Sequence, residues 1–338
     1  LCATMIPYTR KTLPNGLTVV VNRDRASKLA AVNILYRVGA RNENPARTGF
    51  AHLFEHLMFR GTRAVENFDL PVQMASGDNN AFTNNDYTDF YITLPKDNLE
   101  TALWLESDRM EGLDITPAKL EAEKKVVIEE FRQRYLNQPY GDQTMLLRAL
   151  AYKVHPYRWA AIGLATDHIA GATLADVESF YRAHYRPSNA ILSISADMEE
   201  ERMLELAEKW FAPLADHPSE TAAIPQEPVQ TQARRQEVER DVPASTVTVA
   251  YHMCARTKLD FYTADLVSDL LSGGDSGRLY THLVKERNLL SSVNAYITGD
   301  VDPGLFVLTG HLLPGRTVEE AEAAFAREIE ELQTLPAS

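Results

Sequence analysis

Cysteine is almost missing from this 338-residue chain. Cys2 and Cys254 are the only two, too few for a disulfide framework or a thiolate zinc site, so any metal must be held by histidine and carboxylate. Long apolar runs are missing as well. No stretch approaches the ~18 consecutive apolar residues of a membrane-spanning helix, and the first residues show no basic segment followed by an apolar one, so the chain as given reads as soluble. Positive charge is in deficit: 34 Lys+Arg face 47 Asp+Glu, for a formal net charge of −13. Such a field repels phosphate backbones and removes nucleic acid from the expected partners. What remains is ordinary globular composition, 45% hydrophobic and 24% charged, over a length that suggests about two domains.

The opening segment reads as paired strands. Asn15-Gly16 is a turn signal before Leu17 to Val21, and Val32, Ile34, Tyr36 and Val38 alternate with more polar neighbours. Phe50 to Arg60 reads as a short apolar helix ended by Gly61, and Tyr87 to Leu94 as an alternating strand. Thr116-Pro117 is an N-cap followed by a first-turn proline, opening a long helix to about Tyr135. A helix over 174–184, a strand over 190–195 and a helix over 199–210 follow. Pro213, Pro218, Pro225 and Pro228 then lie among Ser, Thr, Glu and Gln, which reads as an extended linker. The expected domains are 1–212, a linker over 213–235, and 236–338. Beyond the linker, 245–251 and 305–308 read as strands and 261–271, 279–285 and 318–332 as helices. That order partly replays the first half, so the second domain reads as a partial, related copy.

His52-Leu53-Phe54-Glu55-His56 carries the chemistry. Residues four apart share a helix face, so His52 and His56 can reach one metal, and Glu55 stands beside the open position where a base takes a proton from bound water. Chance would supply this pattern only about 0.03 times in a chain of this composition. A catalytic zinc has three protein ligands and an open site. Glu123 and Glu130, seven apart, lie only ~20° apart around the long helix on the stripe of Leu120 and Val127, whereas Glu129 points ~120° away from Glu123. The helical phase therefore selects Glu130 as third ligand and Glu123 as a supporting acid behind it. The alternative is an amphipathic helix with ordinary surface acids.

These motifs, in this order and with Asn80-Ala81-Phe82-Thr83 between them, resemble the inverted-motif zinc peptidases, the family of pitrilysin, insulin-degrading enzyme and the mitochondrial processing peptidase. The compact domains resemble its smaller bacterial branch. The resemblance implies an α+β fold of two related domains, each a mostly antiparallel sheet packed with helices, closing like a clam shell over an extended peptide. It implies one Zn2+ held by His52, His56 and Glu130, Glu55 as general base, Glu123 as support, and Asn80, Ala81 and Phe82 on an edge strand that pairs with substrate backbone. In the family, an Arg and a Tyr seven residues apart in the second domain hold the substrate carbonyl. Aligned on 283–293, Val284 and Ser291 occupy those positions, and neither can do that work. The chain is therefore read as the zinc-bearing subunit of a heterodimer whose non-catalytic homologous partner supplies the Arg/Tyr pair, with a homodimer as the alternative assembly. A non-catalytic scaffold of the same fold is the rival function, and the compartment is left open between bacterial cytoplasm and periplasm.

Gly274-Asp275-Ser276-Gly277 reads as a turn between helices rather than a nucleophile loop, and Ser272-Gly273-Gly274 lacks the ending of a phosphate-binding loop. His155, His168, His184, His252, His282 and His311 form no ligand spacing and read as surface or satisfied interior groups.

Overall fold

The computed structural model describes residues 6–217 and 222–334, so Cys2 and the Pro218 to Thr221 part of the linker lie outside the described residues. The chain divides into two compact units, Leu1–Leu136 with Val154–Pro228, and Asn137–Lys153 with Val229–Ser338.

In chain order the first unit carries β1 (Thr9–Thr12), β2 (Thr18–Arg23), β3 (Leu29–Tyr36), α1 (Phe50–Leu57), α2 (Asp69–Met74), β4 (Asp78–Thr83), β5 (Thr88–Pro95), α3 (Leu99–Glu111) and α4 (Pro117–Phe131). After α5 (Gln143–Ala151), which belongs to the other unit, come α6 (Thr166–Ala170), α7 (Leu174–His184), β6 (Ala190–Ala196) and α8 (Glu200–Phe211). The strands form one sheet in the order β1-β2-β6-β3-β5-β4, antiparallel except for the β2–β6 pair. The alternation read in the sequence has its physical cause here. Val32, Ile34 and Tyr36 of β3, with Phe90 and Ile92 of β5 and Leu192 of β6, are fully buried against Leu53, Phe54, Leu103 and Phe211 of the helices.

The second unit contains α5, β7 (Thr246–His252), α9 (Leu259–Ser272), β8 (Leu290–Ile297), β9 (Leu305–Leu312) and α10 (Val318–Thr334). Its antiparallel sheet runs β7-β9-β8, the order in which β3, β5 and β4 stand in the first unit. In both units a helix follows the first of these strands and another follows the hairpin. The replay that the sequence only suggested is thus a repeat of strand, helix, hairpin and helix, with β8 the strand that the residue pattern missed.

Two differences from the sequence reading have plain causes. The segment 143–151, expected in the first domain, packs in the second unit, where Gln143 Nε2 donates to Thr309 Oγ1 at 3.1 Å and Arg234 donates to the carbonyls of Leu150 and Ala151 at 3.0 and 2.7 Å. Those partners lie more than 80 residues away in the chain, which no local pattern reports. The described residues of the Pro-rich connection, 213–217 and 222–235, hold no helix or strand and are anchored at several points. Asp216 accepts Ser188 N at 3.0 Å, Glu227 accepts Val154 N and His155 N at 2.9 and 3.0 Å, and Arg235 pairs with Glu322 at 2.6 Å.

On α3, Glu106 and Arg109 are buried at 0% and 1% exposure and joined by two hydrogen bonds of 2.7 and 2.5 Å. The guanidinium lies 4.1 Å from the Phe90 ring centre and 4.4 Å from that of Phe68. Burial pushes the Glu106 carboxyl above its ordinary range while Arg109 pulls it back. Removing one partner leaves the other charge stranded, so Arg109→Met is expected to cost about 3–5 kcal/mol in urea unfolding, and the double variant Glu106→Leu/Arg109→Met is expected to cost less than the single one.

Candidate metal centre

Helix α1 has two turns, too few to persist alone in water, and it is held by what it buries. Leu53, Phe54 and Leu57 are fully buried, and the Phe54 ring stacks on Phe180 and Tyr185 with centroids 5.3 and 5.1 Å away. Helix α4 starts where Thr116 Oγ1 accepts Lys119 N at 3.2 Å, and it buries Leu120 and Val127 at 2% and 1% exposure. Packing these two apolar stripes into one core turns His52 and His56 of α1 toward Glu130 of α4.

His52 Nε2 and His56 Nε2 lie 3.7 and 3.4 Å from Glu130 Oε2, and one ligand atom from each residue falls within 4.8 Å of the others. Donors bound at about 2.05 Å to one tetrahedral zinc stand about 3.3 Å apart. The spacing is thus long for a hydrogen bond and suited to a shared cation, and two imidazoles with a carboxylate are a donor set that zinc takes. Behind the cluster, His56 Nδ1 lies 3.5 Å from Oε2 of Glu123. Glu123 is buried at 1% exposure and also ion-pairs with Arg60. Arg134 holds the other oxygen of Glu130 at 3.1 Å. Glu129 is exposed, 3.7 Å from Arg132 and accepting from Gln133.

The electrostatics separate the two imidazoles. Burial, with the neighbouring His56, drives His52 down to about 4. Burial would also lower His56, but the carboxylates of Glu123 and Glu130 outweigh it and raise it to about 9. Glu130 is lowered, chiefly by the adjacent His56 imidazole. Glu55 is raised, chiefly by burial, with the nearby Thr83 hydroxyl acting the other way.

Thr83 lies on β4, the last strand of the six-stranded sheet. Asn80, Ala81 and Phe82 pair with Tyr91, Phe90 and Asp89 of β5, and the other side of β4 is unpaired among the described residues. Asn80 and Phe82 are exposed while Ala81 is half-buried, and Ala81 N donates to the side-chain oxygen of Asn80 at 2.8 Å. On residues alone this stretch reads as a loop and strand start, because its polar sequence carries no buried-strand signal. Arg60 and Arg134 were also missed. Each stands four residues after a ligand candidate, a spacing that sequence could have offered, whereas the Thr83–Glu55 contact had no local signal.

Six of the remaining histidines have structural partners. His168 Nδ1 meets Thr48 Oγ1 at 2.8 Å, His155 Nδ1 accepts Tyr157 N at 3.1 Å, and His252 Nε2 lies 3.2 Å from Ala151 O. His184 lies against Phe180 with ring centres 4.6 Å apart, and burial lowers it to about 4. His311 contacts the Tyr140 ring. His282 with Glu328 and Glu331 is a second grouping of possible metal donors. Arg278 already lies 3.4 and 2.9 Å from those carboxylates of α10 and His282 Nδ1 2.9 Å from Glu328, so the acids have partners within the protein.

Two family profiles match the chain: "Insulinase (Peptidase family M16)" over residues 18–159 and "Peptidase M16 inactive domain" over residues 171–338. The zinc protease PqqE of Helicobacter pylori is 32% identical over 328 residues, covering 95% of this chain and 74% of that protein. A probable beta subunit of the mitochondrial-processing peptidase of Arabidopsis thaliana is 25% identical over 315 residues, and the chain spans 59% of its length. The crystal structure of a protease from Helicobacter pylori superposes with a TM-score of 0.92 at 31% identity, covering 99% of this chain and 82% of that one.

The geometry distinguishes the two adjacent glutamates. In zinc titration followed by competition with a chromogenic chelator, Glu130→Gln is expected to weaken binding by more than about 100-fold, and Glu129→Gln to leave it unchanged. Loss confined to the Glu129 variant would show that the phase of α4 has been misread.

Proposed function

Because the chain belongs to the insulinase family of peptidases, family M16, we propose that it is a zinc-dependent endopeptidase acting on extended peptides. The observation that carries this reading is the convergence of His52, His56 and Glu130, with Glu55 on the same short helix. Zinc, when bound, supplies a Lewis acid that acidifies water and polarises a carbonyl. Glu55 accepts the proton of the attacking water and passes it to the departing amide nitrogen, and its raised affinity for a proton suits it to hold one between those events. Glu123 faces Nδ1 of His56, which favours the tautomer that leaves Nε2 free as a ligand, and Arg60 pairs with Glu123 in turn.

The free edge of β4 suits a peptide laid down as an added strand. Main-chain N–H and C=O groups there make no distinction among side chains, so broad sequence tolerance is expected, with exposed Phe82 offering an apolar contact. The groups that polarise the scissile carbonyl are missing from the second unit. Val284 packs against the second core, and Ser291 on β8 is exposed, its hydroxyl bonded to His311 O at 3.3 Å. A second copy of this chain would bring the same valine and serine. A homologous partner bearing the Arg/Tyr pair therefore fits better than a homodimer.

Two measurements test the reading on a mixture of quenched peptides. Glu55→Gln is expected to keep its zinc while turnover falls by about 10²–10⁴-fold, and a chelator is expected to abolish the wild-type activity. Normal turnover in that variant would sink the mechanism. Adding a homologous subunit that lacks the HxxEH motif but carries Arg and Tyr is expected to raise turnover well above that of the lone chain. Full activity alone, unchanged by the partner, would remove the divided site, and zinc binding with no cleavage in either case would favour the scaffold reading.

A further inference from the structure

The start of α1 has no cap of its own. The residue before the helix is Gly49 at φ +91, and no side chain of that turn accepts from its N–H groups. A helix start leaves such groups in need of acceptors, and here they are supplied from a distance. Glu43 Oε2 accepts Gly49 N and Glu43 Oε1 accepts Ala51 N, both at 2.9 Å, with Glu43 buried at 6% exposure. The backbone that carries Glu43 is tied down in turn. Ala40 N and Arg41 N donate to the carbonyls of Asn84 and Asn85 at 3.1 and 2.8 Å, in the turn between β4 and β5, and Trp159 Nε1 donates to Ala40 O at 3.0 Å. Gly49 backs onto Gly163. A Cβ at 49 would meet Ile162 O at 2.7 Å, and one at 163 would meet Gly49 Cα at 3.1 Å, with both glycines at positive φ.

The helix so fixed is eight residues long, and His52 directly follows Ala51. A rotation of 20° about its axis would move an imidazole Nε2 by roughly 2 Å, enough to take it out of register with Glu130. We infer that Glu43 is a positioning residue of the metal centre: by joining the start of α1 to the β4–β5 turn, it sets the direction in which His52 and His56 project and aligns the helix with the substrate strand. The inference rests on the zinc-peptidase reading above. It needs both carboxylate oxygens as acceptors, so glutamine is a sharp probe. Its carbonyl oxygen can take the place of only one of the two carboxylate oxygens, and its amide nitrogen, a donor, opposes the N–H that faced the other.

The experiment measures the zinc dissociation constant by chelator competition, together with kcat and KM, for the full-length wild type, Glu43→Gln and Thr317→Ala. The last removes a cap from α10, where Thr317 Oγ1 accepts Glu320 N at 3.2 Å, and so reports what a lost cap does away from the metal. Glu43→Gln is expected to bind zinc about 10–100-fold more weakly and to lose kcat with little change in KM, while Thr317→Ala lowers thermal stability and leaves zinc affinity unchanged. Wild-type zinc affinity in folded Glu43→Gln would overturn the positioning role and leave the zinc-peptidase reading standing. No zinc binding by the wild type would overturn that reading and the inference with it. Should Glu43→Gln not fold, Glu43→Asp, whose shorter reach strains both bonds, is judged by the same zinc criterion.

Discussion

The candidate site depends on one packing constraint: α1 and α4 must share a core along apolar stripes that run beside their polar ones. Leu53, Phe54 and Leu57 on one helix and Leu120 and Val127 on the other enter the same buried cluster. With those faces committed, His52, His56, Glu123 and Glu130 have to face each other. Burying four titratable groups this way is costly unless each finds a partner. Here Arg60 and Arg134 reach in from more exposed positions to the two carboxylates, and a cation between the imidazoles and Glu130 would complete the set.

The same constraint places the edge strand β4 beside α1. β4 is the terminal strand of the sheet, and α1, which carries Glu55, packs against it. Glu43 links the start of α1 to the segment tied to the β4–β5 turn. The aromatic stack of Phe54, Phe180 and Tyr185 secures the opposite side of the helix. A two-turn helix with so little intrinsic stability keeps a defined direction because its first turn and its apolar face are both tied to the sheet layer.

The second unit repeats the β3-β5-β4 arrangement without its chemistry. Its strands stand in the order β7-β9-β8, but α9 carries no histidine or glutamate, and Val284 and Ser291 stand where the resemblance would put an Arg and a Tyr. The fold element survives because its core, built on Leu271, Leu290, Leu308 and Phe325, needs only apolar residues at the right period. The reactive groups are not required for that packing.

The residue pattern alone determined the parts whose signals are local. Helix phase separated Glu130 from Glu129, the i,i+4 histidines fell on one face of α1, and Thr116-Pro117 marked the start of α4, since each depends only on residues within two turns of one another. Tertiary structure decided the rest. It made 78–83 an edge strand by pairing it with β5, moved α5 into the second unit through contacts with Thr309 and Arg234, and brought Glu43 under the start of α1. None of these leaves a periodic trace, because a hydrogen bond between segments far apart in the chain is set by how the cores pack and not by the spacing of residues along either segment.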